Sequence, residues 1–537
     1  MEADKTNGHE RDFSRSRGPL GGVVRNGLIH RVCPRDGSLL SPLPVTPEAD
    51  VRLAVERARA AQRGWRERPF ADRVSALKRA AREMLSRRNE IISLVSREGG
   101  KLAVDALFTE ALGPLDSVGG WERVCKNALR RPIGLSPLAF PKKRARIDLV
   151  PRGVVGIIAP WNFPVSGLYR SVIPALLSGN AVVLKPSEYT PESSAWFANL
   201  LAEFLPDDVI TVVQGGGATG AALLESGIDT CVFTGSCATG RKVAVRCAEL
   251  GMPSSIEMGG NDPAIVLADC DLDRTVAGIT HWALQNAGQA CGAIEIAYVD
   301  DAVADRFVER IGDAWARLRT GEGDFAEVDV NPLTTDRQLE IVEAHVADAL
   351  AKGATLVTGG EALGVGYFYR PTVLDHCTDA MDVVKDETFG PVLAVVRVNG
   401  AADAVRRTNQ SRYGLGASIW SEDIARAERL AERLEVGVVD INNHAMTGAI
   451  ADLPWSGVRD TGFGVANSVH SLGTFCRPKA ILVDENSAPE PFWAPFDAST
   501  YELGDLLADA QLMRIGRAWK IPLLLAKRAK RIRRFFD

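Results

Sequence analysis

The chain has 537 residues, 46% of them hydrophobic and 24% charged, with a formal net charge of −5. That length is too great for one small core, so two or more domains are expected, and the acidic balance offers no general attraction to nucleic acid. Nine cysteines at irregular spacings, none in a C-x-x-C pair, point to a reducing compartment and to no metal site.

Residues 1 to 40 read as a polar, Gly/Arg-rich N-terminal arm without the apolar segment of a signal peptide. No uninterrupted apolar run reaches the roughly 18 residues of a spanning helix, so the expected location is cytoplasmic. Helical patterning begins after Thr46-Pro47, read as a cap followed by proline in the first turn. "VRLAVERARAAQRGW" and "RVSALKRAAREMLSRRNEIISLVSREGG" place apolar residues three and four apart, the second segment closed by Gly99-Gly100. The texture then changes to short β-branched runs bounded by Gly and Pro: "VVGIIAP", "AVVLKPSE", "VITVVQGGG", "TCVFTGS" and "PAIVLAD". Helical segments between them argue for a parallel α/β sheet with crossovers. The alternation resumes from "ATLVTGG" through "PVLAVVRV", "GASIWS" and "VGVVDIN", which predicts a second α/β domain. The final segment, "MRIGRAWKIPLLLAKRAKRIRRFFD", is basic and amphipathic. Such a segment can make peripheral contact with an anionic membrane. The alternative is a solvated tail whose apolar stripe packs on its own chain or a partner, and Pro522 favours it by interrupting the helix.

Within this frame "QNAGQACGAIEI" sets Cys291 among small and amide side chains. A free cysteine usually behaves as a small buried hydrophobe, so a chemical role needs partners. "GGGATG" (215–220) fits G-x-G-x-x-G but lacks an acidic residue at the end of the next strand. "FTGSCATG" (233–240) is the better phosphate turn, since Gly235 permits close approach and Ser236 offers a hydroxyl at a helix N-terminus. One strand-end earlier, Lys185 and Glu188 of "LKPSE" can clasp the two hydroxyls of an adenosine ribose. A carboxylate there repels a 2′-phosphate, which leans toward NAD and leaves NADP as the alternative.

Read together, "PWNFP" (160–164), "KPSE" (185–188), "FTGS" (233–236), "EMGG" (257–260), "GQAC" (288–291), "ETFGP" (387–391) and "SGVRDTGFG" (456–464) resemble the aldehyde dehydrogenase superfamily, over roughly residues 40 to 484. The resemblance implies an α/β fold with a Rossmann-like dinucleotide domain (41–259), a catalytic α/β domain (260–455), and a return segment with an oligomerisation strand (456–484). Residues 140–152 would join that strand in a β-arm, and 485–537 would be a C-terminal basic amphipathic extension. It further implies Cys291 as nucleophile, Glu257 as general base and Asn162 as an oxyanion donor. Trp161, Lys185, Glu188, Gly235, Ser236, Glu387 and Phe389 would hold the cofactor. Homodimers or homotetramers are implied, and a small-molecule aldehyde as substrate.

Three departures from that family pattern stand out. Ile296 replaces a frequent arginine, "PWSG" (454–457) replaces P-F-G-G, and Asn261 stands where lysine is frequent. For the substrate, Arg170 would line the tunnel, while Gln285 stands where succinate semialdehyde enzymes carry a second arginine. Arg170 alone leaves a polar aldehyde and a long-chain aldehyde both open. The rival functions are a coenzyme A-acylating dehydrogenase, disfavoured by Glu257, and an inactive scaffold, disfavoured by joint retention of Cys291, Asn162, Glu257 and Glu387.

Overall fold

Two parallel sheets organise the larger part of the chain. In the computed structural model, which describes residues 21–137, 140–321, 323 and 327–537, the first sheet has five strands. Their order is Ser254–Met258, Thr230–Gly235, Val154–Ile158, Ala181–Lys185 and Ile210–Val212, every pairing parallel. Val154–Ile158 comes first in sequence yet lies in the middle, so successive crossovers leave it in opposite directions. That switch opens a crevice beyond the carboxyl ends of Val154–Ile158 and Thr230–Gly235, the usual ligand position in such sheets. All five residues of Ala181–Lys185 are buried, which explains why this strand reads as a continuous apolar run rather than an alternating one.

The second sheet has seven strands in the order Thr355–Thr358, Thr372–Asp375, Val392–Val398, Ile294–Asp300, Asp262–Val266, Gly416–Trp420 and Val438–Ile441. Only the edge strand Thr355–Thr358 is antiparallel. Met258 ends the first sheet and Asp262 begins the second, with Gly259, Gly260 and Asn261 between them. The α/β expectation holds.

Four local expectations are corrected. Residues 23–44, read as part of a loose arm, form a three-stranded antiparallel sheet (Val23–Arg25, Leu28–Val32, Leu39–Pro44). Its first hairpin turns at Asn26-Gly27, both left-handed (φ 53° and 72°), the residue pair that two-residue hairpin turns favour. The remainder of that arm, residues 1–20, lies outside the described residues. Thr46 does not cap the first helix, Glu48–Glu67; its hydroxyl accepts from the Gln214 N–H at 2.8 Å. The second helical stretch is two helices, Phe70–Ser86 and Arg88–Gly99, broken at Arg87 and closed by left-handed Gly100 (φ 76°). Finally, Pro522 does not interrupt the last helix, Lys520–Phe536, because it sits in the first turn, where no intrahelical N–H is lost.

The described residues group into two units: those up to Leu129 with Leu149–Arg477, and Arg130–Asp148 with Pro478–Asp537. The second unit contains most of a three-stranded sheet in which Lys143–Pro151 lies between Cys476–Asp484 and Arg130–Ile133. It also carries a helical hairpin, Ala498–Gln511 and Lys520–Phe536.

Candidate active site

Cys291 lies in a loop whose backbone the sequence forces through unusual angles. Asn286, Ala287 and Gly288 are left-handed in succession (φ 52°, 54° and 75°), each of the first two costing about 1–3 kcal/mol unless surroundings hold it. A Cβ on Gly288 would sit inside the Gly390 carbonyl, so this glycine serves both angle and space. Amides supply the restraint. The Asn162 side-chain NH₂ donates to the Gln289 carbonyl at 3.0 Å, and the Asn286 NH₂ donates to the Asn162 carbonyl at 3.1 Å. Gln289 donates to the Asn286 carbonyl at 2.9 Å and accepts from the Thr334 N–H at 2.8 Å. Beyond the cysteine, buried His444 Nε2 lies 2.9 Å from the Gly292 carbonyl. Burial depresses the His444 pKa to about 4, so the ring is neutral at physiological pH and donates from Nε2.

Cys291 packs on Leu415, Val438 and Trp455 with Ala445 and Ala466. Burial first, then the Glu257 charge, push its thiol up to about 12, while Arg170 pulls it down. Glu257 comes from the edge strand Ser254–Met258, which Phe463 and Gly464 cover by donating to the Ile256 carbonyl at 3.2 and 2.8 Å. Burial raises the Glu257 carboxyl to about 7, opposed by Arg170 and by the Ala466 N–H. One of its oxygens, Oε1, is buried with no hydrogen-bond partner among the described residues. A buried carboxyl oxygen left unpaired carries a desolvation cost and calls for a functional reason.

Arg170 follows the helical turn Ser166–Tyr169, and its guanidinium stands 5.0 Å from the Trp455 ring centre. Buried Glu110, on the π-helical turn Leu107–Ala111, fixes that segment. It accepts from the Val165 and Ser166 N–H groups (3.1 and 2.7 Å) and pairs with Lys101 at 2.6 Å.

The remaining expected residues sit at or just beyond the carboxyl ends of strands in the first sheet, or in segments packed near the Gly259–Asn261 link. Lys185 and Glu188 are paired at 3.2 Å where Ala181–Lys185 ends. Ser236 caps the helix Cys237–Glu249 by accepting from the Thr239 N–H, and Gly235 ends the strand before it. Glu387 accepts from the Gly260 N–H at 3.0 Å; burial raises its carboxyl to about 8. Left-handed Phe389 (φ 52°) meets Trp161 edge-on at 5.4 Å. Gln285 caps the helix Leu272–Leu284 and enters none of the bonds described for the Cys291 group. Ile296, in place of arginine, is buried in the second sheet.

Several supporting residues escaped the sequence reading: Glu110, Asn286, Gln289, Glu295, His444 and Trp455. Glu295 accepts from the Thr388 and Phe389 N–H groups (2.6 and 2.8 Å) and so holds the Glu387–Phe389 turn. Of these Trp455 carried a signal as a departure from the family pattern, and Asn286 and Gln289 as the amide side chains beside Cys291.

Two parallel α/β sheets, joined in sequence through Gly259, Gly260 and Asn261, form the frame expected of an NAD(P)-dependent oxidoreductase of aldehydes. The sequence model of the Aldehyde dehydrogenase family matches residues 24–481, and the chain belongs to that family. It is 37% identical over 477 residues to 4,4'-diapolycopene aldehyde oxidase of Methylomonas sp, covering 88% of this chain and 89% of that protein. Among solved structures, succinate-semialdehyde dehydrogenase from Burkholderia pseudomallei matches with a TM-score of 0.80 and 33% identity, over 85% of this chain and 94% of that one. Mycobacterium tuberculosis aldehyde dehydrogenase complexed with NAD+ matches at 0.81 and 29%, over 86% and 96%.

Proposed function

We propose that the chain oxidises an aldehyde to a carboxylic acid with NAD(P), through a thiohemiacetal and then a thioester on Cys291. One observation carries this reading: the unpartnered, buried Oε1 of Glu257 belongs to a carboxyl coupled electrostatically to the Cys291 thiol. Ionised above pH about 7, that carboxylate is a base in the right range to take the thiol proton and later to activate water. The Asn162 NH₂ gives one hydrogen to the Gln289 carbonyl. Its second hydrogen and the Cys291 backbone N–H, neither of which has a hydrogen bond among the described residues, can donate to the oxyanion, and one such donor is typically worth about 3–4 kcal/mol. Water releases the acid; the Glu257 base distinguishes this from transfer to coenzyme A.

The residues of the crevice fit a dinucleotide. Buried Lys185 has Glu188 as its described side-chain partner, so the pair can turn to two ribose hydroxyls. Gly235 and Ser236 open a helix N-terminus to a pyrophosphate, and Glu387, Phe389 and Trp161 would hold the nicotinamide end. When bound, the nicotinamide accepts the hydride. Glu188 favours NAD over NADP by repelling a 2′-phosphate.

For the substrate, the reading favours an apolar body. Arg170 already faces Trp455 and balances Glu257, so its charge has work apart from a substrate carboxylate. Beside it, the segment bearing Gly448 exposes Met446, Ile450 and Leu453. We read the enzyme as a cytoplasmic homodimer or homotetramer joined through the arm of 143–151 and 476–484.

The test is a panel of apolar, hydroxylated and carboxylated aldehydes, each with NAD and with NADP, on the wild type and Cys291→Ser. NADH formation abolished by Cys291→Ser, with a hydroxylamine-trappable acyl group on the wild type only, is the expected result. Retained turnover in Cys291→Ser would end the proposal.

A further inference from the structure

We propose that the helical hairpin at the C-terminus docks on an anionic lipid surface through its turn and the outer face of its last helix. This goes beyond the oxidation chemistry and does not depend on it.

Charge is concentrated there. Residues 512–537 hold nine Lys or Arg against the single carboxylate side chain of Asp537, whereas the whole chain is net −5. Within the described residues Arg517 and Lys520 lie near Glu502 or Asp505, and Arg528 and Arg531 near Asp497. Arg514, Lys527, Lys530, Arg533 and Arg534 enter no ion pair among those described. The hairpin is nonetheless a built element. Leu503, Leu506 and Leu524 pack together with Ile521, and buried Arg528 donates to the Pro491 and Trp493 carbonyls at 2.9 and 2.7 Å.

With Leu524, Arg528 and Ile532 facing inward, helical spacing sends Trp519, Leu523, Lys530 and Arg533 to the opposite side. The turn between the helices leaves Leu512, Met513 and Ile515 exposed at 63%, 82% and 67%, followed by Trp519 at 66% and Leu523 at 63%. Large apolar side chains at the tip, with arginines and lysines behind them, match the two layers of a lipid interface: acyl boundary and anionic headgroups. A nucleic acid would use the charge but leaves the aliphatic tip unused. A second hairpin would bring the same positive charge against this one. The occupant is a lipid surface, and no described helix is long and apolar enough to cross it.

The experiment is co-sedimentation of the full chain with phosphatidylglycerol-containing vesicles and with pure phosphatidylcholine vesicles. The expected result is about tenfold preference for the anionic vesicles, lost in high salt, with quenching of tryptophan fluorescence by brominated acyl chains that Trp519→Phe removes. Met513→Asp with Ile515→Asp should weaken binding by about tenfold while turnover of a water-soluble aldehyde stays within about twofold, which shows that the fold is intact. Absence of pelleting with anionic vesicles, or binding undiminished in the paired variant, overturns the proposal. So does displacement from vesicles by an oligonucleotide with no change in quenching, or self-association that the paired variant abolishes without any vesicle binding. Vesicle binding is read without substrate, so failure here and failure of the aldehyde reading are separate results.

Discussion

At Glu257 a single carboxyl joins chemistry to stability. Its folded pKa of about 7 lies above the ordinary 4.5, so the carboxyl is neutral in the fold while its unfolded counterpart is already ionised. Folding is therefore weakened as pH rises from about 4.5 toward 7, and the unpartnered oxygen is where the cost is located. Glu257→Gln removes the ionisation and keeps the shape. It should still give a stoichiometric NADH burst, while steady-state turnover falls by about 10²–10⁴. Thermal midpoints at pH 8 should rise above wild type; rapid mixing and calorimetry check the two halves separately. An absent burst would contradict the assignment to deacylation. Arg170 pulls both Glu257 and Cys291 toward their charged forms, so Arg170→Met should raise both pKa values. The acid limb of the pH–rate profile should move to higher pH and alkylation of Cys291 by iodoacetamide should slow at fixed pH. A profile left in place, with only the KM for acidic aldehydes raised, would return Arg170 to substrate binding.

Elements hold these residues by contacts that reach far along the chain. Glu295, on the strand Ile294–Asp300, accepts two successive backbone N–H groups, at Thr388 and Phe389. An amide offers one acceptor oxygen where a carboxylate offers two, so Glu295→Gln leaves one N–H facing an NH₂. The Glu387–Phe389 turn should loosen, raising the KM for NAD(P) about tenfold with a smaller change in kcat. Unchanged cofactor KM would show that the turn is held by other means. This geometry also marks how far sequence could be read. The buried strands were legible because β-branched runs bounded by Gly and Pro have few other structures available. The Cys291 motif was legible because small neighbours around a thiol are unusual. Glu110 and Glu295 were not, since each acts on backbone 55 or more residues away and local patterning carries no trace of that. The Asn26-Gly27 hairpin did carry a local signal, an Asn-Gly pair between Val23-Val24 and Leu28-Ile29, which the polar, Gly/Arg-rich composition of residues 1 to 40 as a whole obscured. Pro522 misled because its effect depends on the helix start, which propensity places only to within a few residues.

For the molecule as a whole, buried acids set the pH at which it is most stable. Asp262 and Glu387 join Glu257 with carboxyls raised by burial to about 7 and about 8. All three favour the fold fully below their unfolded values and lose that contribution as pH climbs to about 8. His444 works against them at the acid end: its folded pKa of about 4 lies below the ordinary 6.5, so the fold is weakened as pH drops beneath about 6.5. The two trends oppose each other between about pH 4 and 6.5, and the carboxyls act unopposed from there to about 8. A fully desolvated carboxyl shifted by about 2.5–3.5 units contributes at most about 3–5 kcal/mol. Three carboxyls outweigh one imidazole, so the thermal midpoint of cofactor-free protein should fall steadily from about pH 4.5 to about 8, with Glu257→Gln flattening that descent. A midpoint that rises through this window would mean that the three acids are ionised in the folded protein. The argument for Glu257 as a base poised near neutrality would fall with it.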